Sequence, residues 1–448
     1  MTTTGQARDE ALKVLQRVRQ NVPVAEALAA SHRATAMSAN DRALMTQLVY
    51  GVLRHRRYLD ALMEPFLQQA LEPDVREILR MAFFQLRFLD RVPAYAVVNA
   101  AVEQTKVVQP KASRMVNAIL RRGQEYELKD PPLAVAYSHP DWLVARWAKR
   151  FGDRLGDILK ENNRIPPLTL RINRVNTTTK DVLAALNQQG IEAAASEFLP
   201  EAVRVFGSVW LEDWALFQEG KVSVQDESGM LVSRILDPQP GDLVLDVAAG
   251  VGGKTGHIAE LTAGQAEIVA VDVSDRRLGL LRQNLSRLGM ASSVKTIVGD
   301  ARNVVPNTLA ESFDRVLVDA PCSNLGVLRR RVDARWKKSV DDFATHQRTQ
   351  TMLLEAAVLA TKPGGVIVYS TCSIEPEETT EVVSQIQAQF PHLLKESVTD
   401  WLPHPALQQA VMDGTLTIVP GDFGMDGFFI ARFRKLREKE KLDDIRKS

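Results

Sequence analysis

The feature that most constrains this chain is a regular alternation of strand and helix patterns between residues 225 and 435. The strand patterns are LVLDVAA, EIVAVDV, VKTIVGD, RVLVDAP and GVIVYSTC, and helical stretches such as RRLGLLRQNLSRLG lie between them. Because strands that alternate with helices form a parallel sheet covered on both faces, this pattern predicts a doubly wound, Rossmann-like α/β domain. Ligands of such sheets bind at the carboxyl ends of the strands, so those ends hold the candidate functional residues.

The residues before this domain have two other patterns. Residues 1–130 show helical periodicity throughout, which predicts an all-α domain of about five to seven helices. Residues 131–224 mix short strand and helix patterns and predict a small α/β domain. The last residues, LREKEKLDDIRKS, are highly charged and predict a frayed tail. The expected domains are therefore 1–130, 131–224 and 225–435, followed by the tail 436–448.

Composition limits the classes of function. The 448 residues carry a net charge of +1, so overall charge does not indicate a nucleic-acid partner. The start of the chain lacks the apolar core of a secretory signal, and no apolar run is long enough to span a membrane. The two cysteines lie far apart and do not suggest a disulfide framework, and no His/Cys spacing suits a metal. We therefore expect a cytoplasmic enzyme without a metal or a membrane partner.

A glycine-rich turn, AAGVGGKT, follows the first strand pattern and predicts a ligand site of backbone amides and a helix N-terminus. The dinucleotide fingerprint fails here, since Thr255 stands at its third glycine. The loop that binds nucleoside triphosphates nearly matches, but Ala248 stands at its first glycine. S-adenosylmethionine fits the pattern of Asp246, Gly250 and Gly252. The loop alone leaves the triphosphate and the methyl donor about equally favoured.

Two acidic residues at the ends of the next strand patterns favour the methyl donor. Asp272 closes the second pattern, at the place where an acid accepts the ribose hydroxyls in dinucleotide-binding folds. Asp300 closes the third pattern and is expected to face the adenine. We therefore predict a methyltransferase that uses S-adenosyl-L-methionine, and a P-loop-like nucleotide hydrolase remains the alternative.

Both cysteines of the chain, Cys322 and Cys372, follow strand patterns of this domain. A thiolate that adds to C6 of a cytosine makes C5 electron-rich, so that C5 takes a methyl group before the thiol leaves. Asp319, three residues before Cys322, is expected to hydrogen-bond the edge of the base. These residues predict a cytosine-5 methyltransferase with a covalent intermediate, and the alternative is that both thiols are buried structural groups.

Longer segments resemble a known family. DAPCSNLGVLRRRVDARW and STCSIEPEE resemble the fourth and sixth motifs of RNA cytosine-5 methyltransferases, and NDRALMTQLVYGVLRHRRYLD resembles a NusB-like RNA-binding domain. The combination is typical of the bacterial 16S ribosomal RNA methyltransferases of the Sun/Fmu type, and the resemblance covers nearly the whole chain. It implies Cys372 as the nucleophile and Cys322 as the residue of product release. The cofactor contacts that it implies are Ala248, Ala249, Gly250, Val251, Gly252, Gly253, Lys254, Asp272, Asp300 and Asp319.

The resemblance also implies partners. The expected substrate is 16S ribosomal RNA, whose target base must leave any stack to reach Cys372; DNA is not expected as a substrate, and a monomer is expected. Of two basic segments, the one at 329–338 is expected to contact RNA, and the one at 54–57 is expected to be a solvated helix face. Trp336 is expected either to stack on a base or to pack. A non-catalytic RNA-binding factor with a degenerate methyltransferase domain is a second alternative.

Two positions depart from the family pattern. The family loop reads C-A-A-P-G-G-K-T, whereas this chain has Gly250 and Val251 in place of its second alanine and its proline. We expect cofactor binding to survive this change with an altered strength. Val332 replaces the proline of the family's R-R-x-P-D, which predicts a different loop shape and bears on how the substrate is positioned.

Overall fold

The computed structural model describes residues 3–207 and 214–437, so residues 438–448 of the expected charged tail lie outside the described residues. The α-helices are α1 (Thr3–Arg19), α2 (Val24–Ala34), α3 (Ala39–Met63), α4 (Pro73–Phe88), α5 (Ala94–Val108), α6 (Ser113–Gly123), α7 (Leu133–Ala136), α8 (Asp141–Phe151), α9 (Leu155–Glu161), α10 (Thr179–Gln188), α11 (Ala215–Gln218), α12 (Glu227–Leu236), α13 (Gly253–Leu261), α14 (Asp275–Leu288), α15 (Ala301–Thr308), α16 (Ala334–Lys337), α17 (Asp341–Ala360), α18 (Thr380–Gln389) and α19 (Pro405–Gln409). The strands are β1 (Leu168–Ile172), β2 (Glu192–Ala195), β3 (Ala202–Phe206), β4 (Val222–Val224), β5 (Leu243–Asp246), β6 (Glu267–Asp272), β7 (Val294–Val298), β8 (Phe313–Asp319), β9 (Thr361–Thr371), β10 (Leu393–Glu396), β11 (Val411–Met412), β12 (Thr415–Ile418) and β13 (Phe428–Lys435).

The chain divides into two compact units, and each unit is built from two separate segments of the sequence. The helical unit consists of residues 1–165 and 328–338, and the sheet unit consists of residues 166–327 and 339–448. The helical unit thus extends past residue 130 and includes a segment from much later in the chain. The domain boundaries expected from the sequence stay predictions.

Six α-helices, α1 to α6, occupy the described residues up to 130, and their apolar faces meet in one core. This confirms the expected helical domain. The Ser38 hydroxyl caps α3 by accepting the backbone N–H of Asp41 at 3.1 Å, as its sequence pattern predicts. Pro93 stands directly before α5 and separates it from α4. Helices α3 and α4 pack closely, since a Cβ added at Gly51 would lie 2.0 Å from the Phe84 ring.

The segment 328–338 completes the helical unit. Val332 is fully buried in its core. The indole N–H of Trp336 donates to the Leu53 carbonyl at 2.7 Å, so this ring packs against α3. Arg335 is fully buried, and its guanidinium donates to main-chain carbonyls at 3.0 to 3.3 Å, those of Arg54, Ser138 and Asn162.

This burial corrects two expectations about basic residues. The segment 329–338 was expected to face RNA, which is wrong for Arg329 and Arg335, since they are 2% and 0% exposed. The segment 54–57 was expected to be a solvated helix face, which is wrong for Arg54, since it is 6% exposed. A run of basic letters does not show which guanidinium groups have backbone carbonyls to bind, and the carbonyls that hold Arg335 come from three distant parts of the sequence.

The sheet unit begins with a small antiparallel sheet in the order β2-β3-β1-β4. Helix α10 packs on this sheet, and Val182 and Leu186 on α10 are buried in a core with Leu170 and Val203 of the strands. The expected small α/β fold is confirmed.

A larger sheet of nine strands fills the rest of the sheet unit. Five strands are parallel, in the order β9-β8-β5-β6-β7, and β13, β12 and β11 follow β9 with antiparallel pairing, while β10 pairs with β13. The parallel strands are mostly apolar and buried because helices cover both faces. The Rossmann-like fold is confirmed. The one difference is that the sheet is mixed, because β13, β12 and β11 pair in antiparallel fashion beside β9.

Candidate active site

The glycine-rich turn lies between β5 and α13, at the carboxyl end of the parallel strands. Gly250 and Gly252 have φ angles of 57° and 85°, a region that glycine occupies without strain. A Cβ at Gly252 would lie 2.7 Å from Leu281 on α14, whereas a Cβ at Gly250 would meet nothing within 4 Å. The absence of a side chain at Gly252 therefore allows Leu281 to pack against the turn, and Gly250 leaves the mouth of the turn open. Val251 is 46% exposed at its tip.

Asp272 lies directly against this turn. One of its carboxylate oxygens accepts the backbone N–H of Gly250 at 2.9 Å, and the other accepts the N–H of Ser274 at 2.8 Å. The structure thus brings the predicted acid and the predicted loop together. Asp300 lies two residues after β7, at the start of α15, and is bound to Arg302 by a bidentate pair, and this hydrogen bonding lowers the pKa of the Asp300 carboxyl.

Asp246, the last residue of β5, holds the turn in place through a contact with α13. It is 1% exposed, and it accepts the Thr255 hydroxyl at 2.7 Å. Burial raises the pKa of its carboxyl from 3.8 to about 6, against the opposing effect of this hydrogen bond. An acid therefore anchors the first turn of α13 to the end of β5.

A buried ion pair that sequence reasoning missed also holds α13. Arg171 on β1 binds Glu260 on α13 through two hydrogen bonds of 2.9 and 2.7 Å, and it donates to the Gly253 carbonyl at 2.7 Å. Both side chains are almost fully buried. The small sheet thereby fixes the helix that starts at the turn. The two residues of the ion pair are 89 positions apart, so no local sequence pattern indicates this contact.

Asp319, at the end of β8, links the turn to the neighbouring strand. Lys254 on α13 donates to one of its carboxylate oxygens at 2.6 Å, and the Ser370 hydroxyl donates to the other at 2.9 Å. Asp319 and Ser370 are partners across the parallel strands β8 and β9. The carboxylate keeps a side-chain exposure of 32%, so it is accessible to a ligand.

The two cysteines meet where these strands end. The Sγ atoms of Cys322 and Cys372 lie 2.9 Å apart, and both cysteines are free thiols. The Cys372 thiol also donates to the side-chain oxygen of Asn324 at 3.2 Å. Asn324 adopts a positive φ of 64° and donates to the Cys322 carbonyl, so it connects both cysteines, and sequence reasoning did not single it out.

The two thiols differ in environment. Cys322 is buried, whereas Cys372 is partly exposed. The hydrogen bond with Cys372 and burial raise the pKa of the Cys322 thiol well above its usual value. Cys322 therefore holds its proton, and Cys372 is the thiol that a ligand can reach.

The domains of the chain are similar to those of known proteins. Three family models match the chain: the NusB family over residues 5–125, a ferredoxin-like domain of RsmF/B-like methyltransferases over 139–211, and the 16S rRNA methyltransferase RsmB/F over 233–434. A relative from Bacillus subtilis, described as "Probable ribosomal RNA small subunit methyltransferase B", is 35% identical over 442 residues, which cover 96% of this chain and 98% of the relative. The chain belongs to the RsmB/F family of 16S ribosomal RNA methyltransferases.

Further similarities agree with membership of the RsmB/F family. The ribosomal RNA small subunit methyltransferase B of Yersinia enterocolitica is 35% identical over 356 residues, which cover 78% of this chain and 82% of that protein. The crystal structure of PH0851 matches with a TM-score of 0.83 at 27% identity, and the match covers 97% of this chain and 99% of that one. The nucleotide hydrolase considered from the loop alone is therefore wrong.

S-adenosylmethionine is the cofactor of this family, as predicted, and the residues present fit it. Asp272 can accept ribose hydroxyls, and the open turn at Gly250 leaves room for a ligand beside backbone amides. In the described parts of the chain, no group of three or more His, Cys, Asp or Glu side chains could hold a metal ion. Within the same residues, no helix has the length and apolar character that crossing a membrane requires.

Proposed function

We propose that this RsmB/F-family methyltransferase forms 5-methylcytosine in 16S ribosomal RNA through a covalent adduct with Cys372. The observation that carries the proposal is the pair of thiols 2.9 Å apart, beside the carboxylate of Asp319 at the adjoining strand end. The names of the relatives support ribosomal RNA of the small subunit as the substrate. The same proposal includes action in the cytoplasm as a monomer.

The proposed cofactor contacts are the turn from Ala248 to Lys254 together with Asp272, Asp300 and Asp319. The bound cofactor would supply an electrophilic methyl group. The residues of the chain have the task of holding it against the turn. A Cβ at Gly250 would meet nothing within 4 Å, and Val251 lies exposed at the tip of the turn, which supports the expectation that binding survives these two departures.

The proposed chemistry assigns different tasks to the two thiols. The Cys372 thiolate forms a bond from its sulfur to C6 of the cytosine while the C5–C6 double bond opens, and the electron pair released at C5 forms the bond to the methyl group. After C5 has gained a methyl group, loss of its proton restores the double bond and breaks the sulfur–C6 bond. The exposure of Cys372 supports its role as nucleophile, and the raised pKa of Cys322 supports a role in proton transfer during release.

Asp319 is proposed to hydrogen-bond the base around N3 and N4, which favours addition at C6. Its contacts with Lys254 and Ser370 hold the carboxylate in one orientation. The target base has to leave any stack to reach this position, so a single-stranded or flipped nucleotide is the expected substrate.

The direct test uses purified protein, unmodified 16S RNA and S-adenosylmethionine, followed by digestion and mass spectrometry of the nucleosides. New 5-methylcytosine is the expected result. RNA binding without any methylated nucleoside, with a partially assembled subunit also tested, would instead favour the non-catalytic RNA-binding factor.

The roles of the cysteines are tested with a matched pair of variants. Cys322→Ser is expected to accumulate a covalent RNA adduct because release is impaired, and Cys372→Ser is expected to form none. Both are resolved by denaturing electrophoresis of labelled RNA. An adduct seen only with Cys372→Ser would reverse the two roles.

A further inference from the structure

A buried carboxylate, Glu378, lies between the two cysteine loops and has no part in the chemistry described above. It is 0% exposed. One of its oxygens accepts the backbone N–H of Ser323 at 2.8 Å, and the other accepts the hydroxyls of Ser323 and Ser373, each at 2.5 Å. Ser323 directly follows Cys322, and Ser373 directly follows Cys372. One side chain therefore binds both loops at the residue next to each thiol.

Glu378 is itself fixed from two sides. Its main-chain carbonyl accepts the hydroxyl of Tyr369, a fully buried residue of β9, at 2.7 Å. Gln350 on α17 donates to the Pro321 carbonyl at 2.9 Å and to the Glu378 carboxylate at 3.3 Å. The carboxylate thus has a defined position from which it can hold the loops, rather than moving with them.

We propose that Glu378 is a positioning residue that keeps the thiols of Cys322 and Cys372 next to each other. The importance of that arrangement for catalysis rests on the proposed function. The Ser323 N–H, the hydroxyls of Ser323 and Ser373 and the Gln350 amide all donate to this carboxylate, and hydrogen bonds to a carboxylate are stronger than those between neutral groups.

A glutamine at position 378 tests the hydrogen bonds of the carboxylate without changing the size of the side chain. Glu378→Gln keeps the shape of the side chain but replaces one acceptor oxygen with a donor –NH₂ group. That group can only donate, so the two serine hydroxyls have to turn and accept from it, and the charge-assisted links to Ser323 and Ser373 become weaker neutral ones. The two loops are then held less firmly, and the two thiols are more often apart.

The first readout needs neither RNA nor cofactor. The full-length protein is treated with diamide, which takes two electrons and two protons from the pair of thiols as they form a disulfide. Remaining thiols are then alkylated and counted by peptide mass spectrometry. Because adjacent groups react faster than separated ones, disulfide formation is expected to be roughly tenfold slower in Glu378→Gln. Equal rates in the parent and the variant would overturn the proposal.

The matched control is Glu381→Gln, the same change three residues further on. Glu381 is exposed, and its carboxylate accepts from Gln347 on α17 at 2.9 Å. This variant is expected to form the disulfide at the parental rate. If it slowed as Glu378→Gln does, the loss of any nearby charge would explain the effect and positioning would be refuted.

A second variant covers the case in which Glu378→Gln does not fold. Ser373→Ala removes one link to the carboxylate and leaves the charge in place. It is expected to slow disulfide formation too, and an unchanged rate in a folded Ser373→Ala protein would contradict positioning through this link.

Methyl transfer supplies the second readout. Glu378→Gln is expected to lower kcat about tenfold and to leave the KM for S-adenosylmethionine unchanged, because the cofactor turn is not among its contacts. A parent that makes no 5-methylcytosine would refute the proposed function, while the disulfide rates would still decide the role of Glu378. A matching loss of cofactor affinity would show a general structural role instead.

Discussion

The close contact between the two cysteine loops gives a sharp prediction at Gly326. The φ of Gly326 lies outside the left-handed region, so an alanine there is limited by space alone. Its Cβ would lie 2.3 Å from the carbonyl oxygen of Gly427 and 2.8 Å from that of Cys372. Since carbon and oxygen atoms at their closest comfortable approach are about 3.3 Å apart, the backbone has to move by roughly 1 Å.

The free-energy cost follows from what that movement breaks. The Gly326 N–H donates to the Cys372 carbonyl at 3.0 Å, and the Gly427 N–H donates to the Gly326 carbonyl at 2.8 Å. Overpacking costs about 1–3 kcal/mol, and each of the two weakened hydrogen bonds costs about 1 kcal/mol, so Gly326→Ala is expected to destabilise the sheet unit by roughly 3–5 kcal/mol. The Cys372 carbonyl is one of the two groups that the new Cβ meets, and under the proposed mechanism a shift of that size beside the reacting thiol lowers the rate about 100-fold.

Three measurements on one variant test this reasoning. Urea unfolding reports stability, calorimetry reports S-adenosylmethionine affinity, and radiolabelled methyl transfer to 16S RNA reports the rate. Cofactor affinity is expected to change little, because Gly326 has no contact with the turn. Gly279→Ala on α14 is the matched control: the nearest atom would be 3.9 Å away, so a gain of about 0.5–1 kcal/mol is expected. A Gly326→Ala protein that unfolds at the parental urea concentration and keeps its rate would show that the loops are not packed in this way.

Two further predictions concern buried charged groups. Because burial raises the pKa of Asp246 from 3.8 to about 6, the folded state binds this proton more tightly, and the carboxyl makes folding less favourable as pH rises through that window. Asp246→Asn is therefore expected to gain about 2.4 kcal/mol relative to the parent between pH 4 and pH 7 in urea unfolding, and a difference independent of pH would contradict this. Arg335→Lys is expected to destabilise the helical unit by about 3 kcal/mol, since lysine cannot reach all of the carbonyls that the guanidinium binds. Thermal unfolding followed by circular dichroism measures this loss, and an unchanged unfolding temperature would contradict the prediction.

The sequence predicted the parts of the site that lie close together along the chain. The strand ends at Asp272 and Asp319 and the open glycine turn follow from local alternation of apolar runs and turn residues, and the structure brings the acid and the turn together. The pairing of β8 with β9 then explains why Cys322 and Cys372 meet. Roles of individual site residues stay predictions.

The contacts that sequence reasoning missed join residues far apart in the chain. Arg171 and Glu260 form a buried pair across 89 positions, and nothing in the letters around either residue indicates the other. Glu378 is one of three acids in the segment EPEE, and these letters alone do not show that it is fully buried. The prediction that the basic segment 329–338 contacts RNA was wrong for Arg329 and Arg335 for the same reason, because burial depends on partners that lie outside a local pattern.

The segment 328–338 also determines when the helical unit can be finished during synthesis. Val332 belongs to its core and Arg335 to its hydrogen-bond network, but both emerge from the ribosome long after residue 165. At about 5–20 residues per second, the amino-terminal helices wait roughly 10 to 35 seconds for this last piece. A nascent chain stopped before residue 328 would therefore present an incomplete bundle to chaperones, and a fragment that ends at residue 165 would lack part of its own interior.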